Sequence, residues 1–241
     1  MLTKCRAIVL RTVRYGDKRM MVDMLTEQYG RLSFSTTIGS SARSRQKKLL
    51  FQPLSILEVV FDYRQSQQVQ RLGEARIWWP SVSLHFDSYK MSLVFFLSEF
   101  LYYVTRDEQE NVPLFEYIVS SLAWLDSVDR SFSNFHLVFM MQLSRYVGFL
   151  PNLDNYTEGD CFDLEEGSFC HAAPYHGNYL EPTEAARIAL LMRLRYETMH
   201  LCAMSRRERN RCTEVIVSFY RLHVPGFAEM KSLAVVQDLF V

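Results

Sequence analysis

The spacing of apolar residues along this chain changes at about residue 80. Before that point, polar and apolar positions alternate in short segments rich in β-branched residues, which is the pattern of half-buried strands. Gly16 and Gly30 indicate turns, and Met20–Tyr29 has the spacing of one short helix. The predicted strands are Arg6–Val13, Arg31–Ile38 and Leu54–Phe61.

Short strands with glycine turns predict a small closed or nearly closed barrel over residues 1–80. An oligonucleotide-binding (OB) fold suits the pattern, and an SH3-like barrel fits it almost as well. The two alternatives differ in how the strands are ordered, which the pattern of apolar residues leaves open.

From residue 81 onward, apolar residues recur at helical spacing. Thr183 is a candidate N-cap, and Ser205 to Glu208 has the form of a capping box. The predicted helices are Tyr89–Val104, Leu114–Leu125, Phe135–Phe149, Glu184–Met204, a helix from the capping box to about Leu222, and Lys231–Phe240. Residues 151–182, with three glycines and three prolines, interrupt them. We therefore predict an α+β multidomain chain, with an OB-fold barrel at 1–80 and an all-α domain at 81–241 that carries an irregular insert at 151–182.

The formal net charge of zero conceals a division between the two predicted domains. Residues 1–80 contain 14 Lys and Arg against 6 Asp and Glu, whereas residues 81–241 contain 13 against 21. Because clustered Lys and Arg neutralise phosphates, the basic barrel is the expected site for a polyanion such as nucleic acid.

The densest basic segment is Arg43-Ser44-Arg45-Gln46-Lys47-Lys48, which follows the small residues Gly39-Ser40-Ser41. A flexible loop with four cations can wrap a phosphate backbone, although an ordinary solvated loop has the same composition. Base stacking would need an exposed aromatic, and the candidates are Tyr15, Phe34 and Phe51. The predicted DNA contacts are Arg11, Arg14, Lys18, Arg19, Arg31, Arg43, Arg45, Lys47 and Lys48.

Cys161, Cys170, His171 and His176 form the one candidate metal cluster. Their spacing lacks the paired Cys-x2-Cys of common zinc sites, and adjacent residues of a strand point to opposite faces. A turn at Glu166-Gly167 instead predicts a hairpin from Cys161 to Ala172 that needs no metal. We expect no cofactor and treat these four residues as weak zinc candidates only.

Several function classes find no support in the sequence. Motifs of phosphate-binding loops, serine hydrolases and zinc proteases are absent, so we predict a protein that is not an enzyme. No apolar stretch resembles an export signal or a membrane span, and five cysteines without regular spacing favour a reducing compartment.

Motifs near both ends resemble the bacterial RecO family of recombination mediators. They are, in chain order, Ala7–Thr12 with Tyr15-Gly16-Asp17, Leu25-Thr26-Glu27, Tyr29-Gly30-Arg31-Leu32, Leu50-Phe51-Gln52-Pro53-Leu54, Phe219–His223 and Lys231-Ser232-Leu233. The resemblance implies an OB-fold barrel on a helical domain that binds single- and double-stranded DNA, anneals complementary strands and helps a recombinase displace single-strand-binding protein. It also implies RecR and the acidic C-terminal tail of single-strand-binding protein as partners, no membrane, and a place in the bacterial cytoplasm with the nucleoid.

Carried over by position, Arg11, Arg31 and the loop from Arg43 to Lys48 become the DNA contacts. Arg130 and Arg145 are candidates for the tail because residues 81–180 have few other cations. Some members hold zinc with four cysteines in the insert, where this chain has two. The alternative hypothesis is an adaptor that does not bind DNA, whose basic barrel binds acidic peptides of partner proteins.

Overall fold

The computed structural model describes residues 2–16, 18–37, 49–154 and 156–239. The chain divides into two compact units, Met1–Asp126 with Met230–Val235, and Ser127–Glu229 with Val236–Val241. Strands give way to helices at Trp79, near the predicted boundary, but the first compact unit continues to Asp126. The domain boundary at residue 80 stays a prediction.

The first unit contains a closed five-stranded barrel. Its strands are β1 (Leu2–Tyr15), β2 (Arg19–Thr26), β3 (Gly30–Thr37), β4 (Ile56–Asp62) and β5 (Val69–Trp79). Their order is β1-β2-β3-β5-β4, and β4 pairs with β1 to close the barrel. All neighbours are antiparallel except β3 and β5, which are parallel. This arrangement confirms the OB-type expectation over the SH3-like alternative.

The prediction of a helix over Met20–Tyr29 is wrong, because Arg19–Thr26 is strand β2. Met20, Val22 and Met24 are buried in the barrel core, while Met21 and Asp23 between them are partly exposed. This alternation has the period of a strand. The core also contains Ala7, Val9, Phe34, Leu57, Val59 and Phe61.

Two helices complete the first unit, α1 (Ser88–Val104) and α2 (Val112–Ser127), close to the predicted bounds. Asp87 caps α1 by accepting a hydrogen bond from the Lys90 backbone N–H at 2.9 Å. The connection between the two helices lies against the β2–β3 turn, where the Arg31 N–H donates to the Glu108 carbonyl at 2.9 Å. Gly30 in this turn has a φ of +61°, and a Cβ there would be 2.2 Å from that carbonyl oxygen.

The second unit contains α3 (Phe135–Leu143), α4 (Pro182–Arg193), a 3-10 helix (Met199–Leu201) and α5 (Arg206–His223). The Ser205–Glu208 capping box is confirmed, and α5 ends one residue after the predicted Leu222. The last helix of the chain is α6 (Leu233–Gln237), shorter than the predicted Lys231–Phe240.

Two helix predictions were too long. The prediction that α3 extends to Phe149 is wrong, because the helix ends at Leu143 and the chain then turns. In this turn the Ser144 hydroxyl donates a hydrogen bond to the Met141 carbonyl, and Gly148 has a φ of +89°. The prediction of one helix from a Thr183 cap to Met204 is wrong because Glu181 is the N-cap and α4 ends at Arg193. Leu194 is extended, and the Thr198 hydroxyl accepts from the Arg195 N–H at 3.2 Å in the turn that follows.

The predicted insert contains a small sheet of order β7-β6-β8, formed by β6 (Cys161–Asp163), β7 (Ser168–Cys170) and β8 (Tyr179–Leu180). Cys161 pairs with Cys170 across the β6–β7 hairpin, and Gly167 in the turn has a φ of +64°. The hairpin prediction is confirmed. Among the described residues, no helix combines the length and the apolar character needed to cross a bilayer.

Candidate nucleic-acid interface

The hairpin of β1 and β2 presents four of the five predicted DNA-contact cations that lie in the described part of the chain. The pairing register shifts between Val9 and Arg11, because Leu10 is an extra residue without a partner on β2. The alternate residues of β1 on the side that faces the core are therefore odd-numbered before the shift and even-numbered after it. Before the shift, Ala7 and Val9 face the core; after it, Arg11, Val13 and Tyr15 pair with the outward-facing residues of β2 and are exposed. The two strands meet at Gly16, which has a φ of +64°.

One outer face extends from this hairpin across four strands. Ser33, Ser35 and Thr37 of β3 pair with Asp23, Met21 and Arg19 of β2, and Ser33 and Ser35 also pair with Val69 and Arg71 of β5. The middle of this face is lined by small hydroxyl side chains, with cations on both sides. We define the outer face as Arg11, Val13, Tyr15, Arg19, Met21, Asp23, Ser33, Ser35, Thr37, Val69 and Arg71.

The cations of the barrel fall into two groups. Lys4 and Arg76 are ion-paired with Glu58, Arg64 with Asp62, and Arg6 with Glu27 and Glu116. By contrast, no ion pair within the described part of the chain involves the exposed hairpin cations Arg11, Arg14, Lys18 and Arg19, or Arg71. Cations that form no ion pair among the described residues are available to an external anion, whereas the first group is already neutralised.

Arg6 shows how strongly the first group is bound. Its guanidinium donates to both carboxylate oxygens of Glu27, at 2.9 and 2.6 Å, and lies over the Trp78 ring at 4.8 Å. The hydrogen bond to Glu27 raises the pKa of Arg6, and the same bond lowers the pKa of Glu27. Arg6 therefore belongs to the structural framework of the barrel.

Arg11 and Arg31 both contact Tyr102 of α1, but they differ in exposure. The exposed Arg11 donates to the Tyr102 hydroxyl at 3.0 Å. The Arg31 side chain is 10% exposed, donates to the Tyr102 carbonyl at 2.8 Å and lies 3.6 Å from Asp23. These contacts give Arg31 a role in holding β3 to α1, and its predicted role as a DNA contact stays a prediction.

The basic loop with Arg43, Arg45, Lys47 and Lys48 lies outside the described residues. Both of its described flanks are beside the hairpin. Thr37, before the loop, pairs with Arg19, and Phe51, after it, accepts a hydrogen bond from the Thr12 hydroxyl at 3.0 Å. The loop therefore leaves and rejoins the described chain next to the hairpin cations.

Of the three aromatic residues considered for base stacking, two are buried. Phe34 is fully buried in the barrel core and Phe51 is 3% exposed, so neither ring can contact an external base. Tyr15 is 69% exposed and pairs with Arg19 at the end of the hairpin. The structure leaves Tyr15 as the stacking candidate of the three.

Sequence reasoning missed Val13, Met21 and Arg71 as members of the outer face. Arg71 is the exposed residue between the buried Gln70 and Leu72, an alternation that would have indicated an outward side chain had β5 been predicted. Met21 is the partly exposed residue between the buried Met20 and Val22 of β2. Val13 is apolar, and its exposure follows from the register shift in β1. No sequence signal marks such a shift.

Arg130 and Arg145, the candidates for partner binding, lie in the second unit. Both are exposed, and they precede and follow α3, whose nine residues span about 14 Å at 1.5 Å per residue. They do not form one compact cluster. Their assignment to a partner stays a prediction.

The four metal candidates are divided among separate interactions. His171 lies 2.6 Å from Asp160, His176 lies 3.2 Å from Asp163, and the Cys170 thiol contacts the Cys161 carbonyl at 3.8 Å. Burial raises the pKa of both thiols, which opposes the thiolate form that zinc binds. Within the described ranges, no three His, Cys, Asp or Glu side chains are grouped as a metal site requires. These residues do not fit a zinc ion.

Comparison with known proteins agrees with the arrangement of a barrel followed by helices. The family model described as "Recombination protein O N terminal" matches residues 1–79, and "Recombination protein O C terminal" matches residues 85–234. The chain is 50% identical over 240 residues to DNA repair protein RecO of Phocaeicola vulgatus, and 46% identical over 241 residues to DNA repair protein RecO of Bacteroides fragilis; both matches cover 100% of each chain. At 32% identity it also matches, end to end, DNA repair protein RecO of Flavobacterium psychrophilum. Because the two family models match 1–79 and 85–234 and the relatives align over the full length of both chains, the chain belongs to the recombination protein O family.

Proposed function

We propose that this protein acts in DNA repair and recombination as a mediator without catalytic activity. It binds DNA through the barrel, anneals complementary single strands and assists the loading of a recombinase onto DNA covered by single-strand-binding protein. RecR and the C-terminal tail of single-strand-binding protein are its proposed partners, with Arg130 and Arg145 as the candidates for the tail. A place in the bacterial cytoplasm with the nucleoid belongs to the same proposal.

The observation that carries this proposal is the contrast between the two groups of barrel cations. The hairpin cations are exposed on the β1–β2 hairpin of an OB-type barrel, beside the flanks of the basic loop, and form no ion pair within the described residues. Binding of this kind releases counterions, so its affinity depends strongly on salt and little on sequence. The names of the relatives support the same assignment.

The test is fluorescence anisotropy of labelled single-stranded DNA over a salt series. We expect the logarithm of the binding constant to fall linearly with the logarithm of the salt concentration. The magnitude of the slope should be about 0.7 per phosphate contacted. In the variant Arg14→Ala/Lys18→Ala/Arg19→Ala, this slope should fall by up to about 2, because up to three contacts are lost.

A matched control removes three barrel cations that are already ion-paired, in the variant Lys4→Ala/Arg64→Ala/Arg76→Ala. Both variants lower the net charge by the same amount, so a general charge effect would weaken binding equally in both. We expect the control to keep a slope close to that of the unchanged protein. Equal slopes in both variants would contradict the assignment of the hairpin.

The same cations could bind an acidic peptide, as the adaptor hypothesis requires. A labelled acidic peptide in the same assay separates the two functions, because DNA offers regularly spaced phosphates over many contacts and a short peptide offers few carboxylates. Absence of DNA binding even at low salt, together with peptide binding lost in the hairpin variant, would replace the mediator by the adaptor.

A further inference from the structure

We propose that Tyr15, supported by Val13 and Met21, is a base-stacking platform that makes the barrel prefer unpaired over paired DNA. This inference rests on the proposed function and names the form of DNA that the outer face selects. Cations alone do not provide this selection, because single and double strands both present phosphates.

The platform lies on the outward side of the β1–β2 hairpin. Tyr15 is 69% exposed and Val13 is 41% exposed, and both point to the same side because they are two residues apart on one strand. Met21 pairs with Val13, and Arg19 pairs with Tyr15. Apolar and aromatic side chains are therefore adjacent to a cation on one face.

This combination suits an unpaired nucleotide. A base stacks on an aromatic ring regardless of its identity, while a neighbouring Arg neutralises the phosphate. Beyond Arg19 and Met21, the hydroxyl groups of Thr37 and Ser35 offer hydrogen bonds to sugar and phosphate oxygens. Arg71, which pairs with Ser35, provides a cation on the other side of the hydroxyl row.

Duplex DNA cannot use the platform in the same way. Its bases are stacked on both faces and paired along their edges, so a protein ring reaches a base face only after the pair is opened, which costs free energy. The hairpin cations can contact the phosphates of single-stranded or duplex DNA, whereas Tyr15 adds to the affinity for single-stranded DNA alone. The ratio of single-strand to duplex affinity is the quantity that Tyr15 should change.

The experiment compares Tyr15→Ala, Tyr15→Phe and Tyr175→Ala in the full chain. The probes are a labelled single-stranded oligonucleotide and its duplex, measured at the same salt concentration. Tyr175 is a matched control because it is a fully exposed tyrosine in the insert. We expect Tyr15→Ala to weaken single-strand binding about fivefold or more and duplex binding less than twofold. Tyr15→Phe and Tyr175→Ala should bind both probes as the unchanged protein does.

A second readout tests stacking directly. In an oligonucleotide with 2-aminopurine, fluorescence falls when the base stacks on a ring, and this quenching should be lost in Tyr15→Ala and kept in Tyr15→Phe. Equal weakening of both probes in Tyr15→Ala, or a loss in Tyr15→Phe as large as in Tyr15→Ala, overturns the inference and leaves DNA binding intact. If the unchanged protein binds neither probe at low salt, the proposed function itself fails.

Discussion

At the scale of single residues, His136 shows how burial sets the charge of a side chain. It is 1% exposed on α3, and its Nε2 lies 3.1 Å from the Thr213 hydroxyl of α5. Burial, with a further contribution from the Arg209 charge, lowers the pKa of His136 to about 3. The imidazole is therefore neutral in the folded protein at neutral pH.

This lowered pKa predicts a pH-dependent stability. Between pH 6.5 and 3, the unfolded chain binds a proton at His136 that the folded chain does not, so the free energy of unfolding falls as the pH falls. Above pH 6.5 neither state binds this proton, so His136 no longer makes the free energy of unfolding depend on pH. Because of His136, the free energy of unfolding should change by at most about 1.4 kcal/mol per pH unit. Urea denaturation followed by circular dichroism from pH 7 to pH 4 measures it.

The variant His136→Gln removes this titration and should flatten the pH dependence, although it also loses stability at pH 7. His200→Gln, at an exposed position, is the control and should leave the profile unchanged. A profile for His136→Gln as steep as that of the unchanged protein would show that other groups carry the acid sensitivity.

At the scale of elements, the spacing of apolar residues was sufficient to predict much of the fold. It was not sufficient where one segment fits both the period of a strand and the period of a helix. The helices α1 and α2 and the β6–β7 hairpin were predictable, since their apolar spacing and turn residues agree. Strand β2 was not, because Met20, Met21 and Met24 also have helical spacing and methionine has a high helix propensity. Pairing with β1 and β3 decides the outcome, and that information is not local.

The candidate site was predictable to a similar degree. Its residue types and the basic character of the barrel follow from the sequence, whereas the exposure of each cation follows from pairing. Arg31 was grouped with Arg19 on sequence alone, yet it lies against Tyr102 and Asp23. A close contact between strand and helix has no signature in local composition.

The two turn glycines of the barrel provide a prediction at this scale. Gly16 and Gly30 have nearly equal φ values, +64° and +61°, but a Cβ at Gly16 meets nothing within 4 Å, whereas at Gly30 it meets backbone oxygen at 2.2 Å. Gly16→Ala should cost about 1 kcal/mol from the left-handed conformation alone. Gly30→Ala should cost about 2–4 kcal/mol, because the backbone must also move.

Thermal unfolding of the two variants, followed by circular dichroism, measures this difference. Both variants carry the cost of the left-handed conformation. The difference between their losses of stability therefore measures the clash of the new Cβ at position 30 with the Glu108 carbonyl. Equal losses in both variants would mean that the turn and the helix connection separate readily.

At the scale of the whole molecule, the main feature is the uneven charge along the chain. Residues 81–180 contain 4 Lys and Arg against 14 Asp and Glu, a balance that repels phosphates and is consistent with the proposed DNA binding at the barrel. The two family models match consecutive parts of this chain, and the Phocaeicola vulgatus relative aligns with both parts over its full length.

Binding at the barrel predicts a coupling between DNA and stability. Single-stranded DNA at about 100 times its Kd should raise the free energy of unfolding by about 2.7 kcal/mol, since the unfolded chain lacks the arranged cations. Differential scanning fluorimetry should then show a higher Tm, and the increase should shrink at high salt. The variant Arg14→Ala/Lys18→Ala/Arg19→Ala should show little increase, and an undiminished one would contradict binding at the hairpin.

The register shift between Val9 and Arg11 has a consequence for how this protein can change over time. Ahead of the shift, alternate residues of β1 are constrained by the core, and beyond it the neighbouring set, the exposed Thr12 and Arg14, pairs with the buried Val22 and Met20. If Leu10 were instead paired with Asp23, each later residue of β1 would pair with the next residue along β2, turning Tyr15 inward and Arg14 outward without altering any side chain. A single backbone residue thus sets which amino acids of this strand are free to vary and which are available to evolve a binding surface.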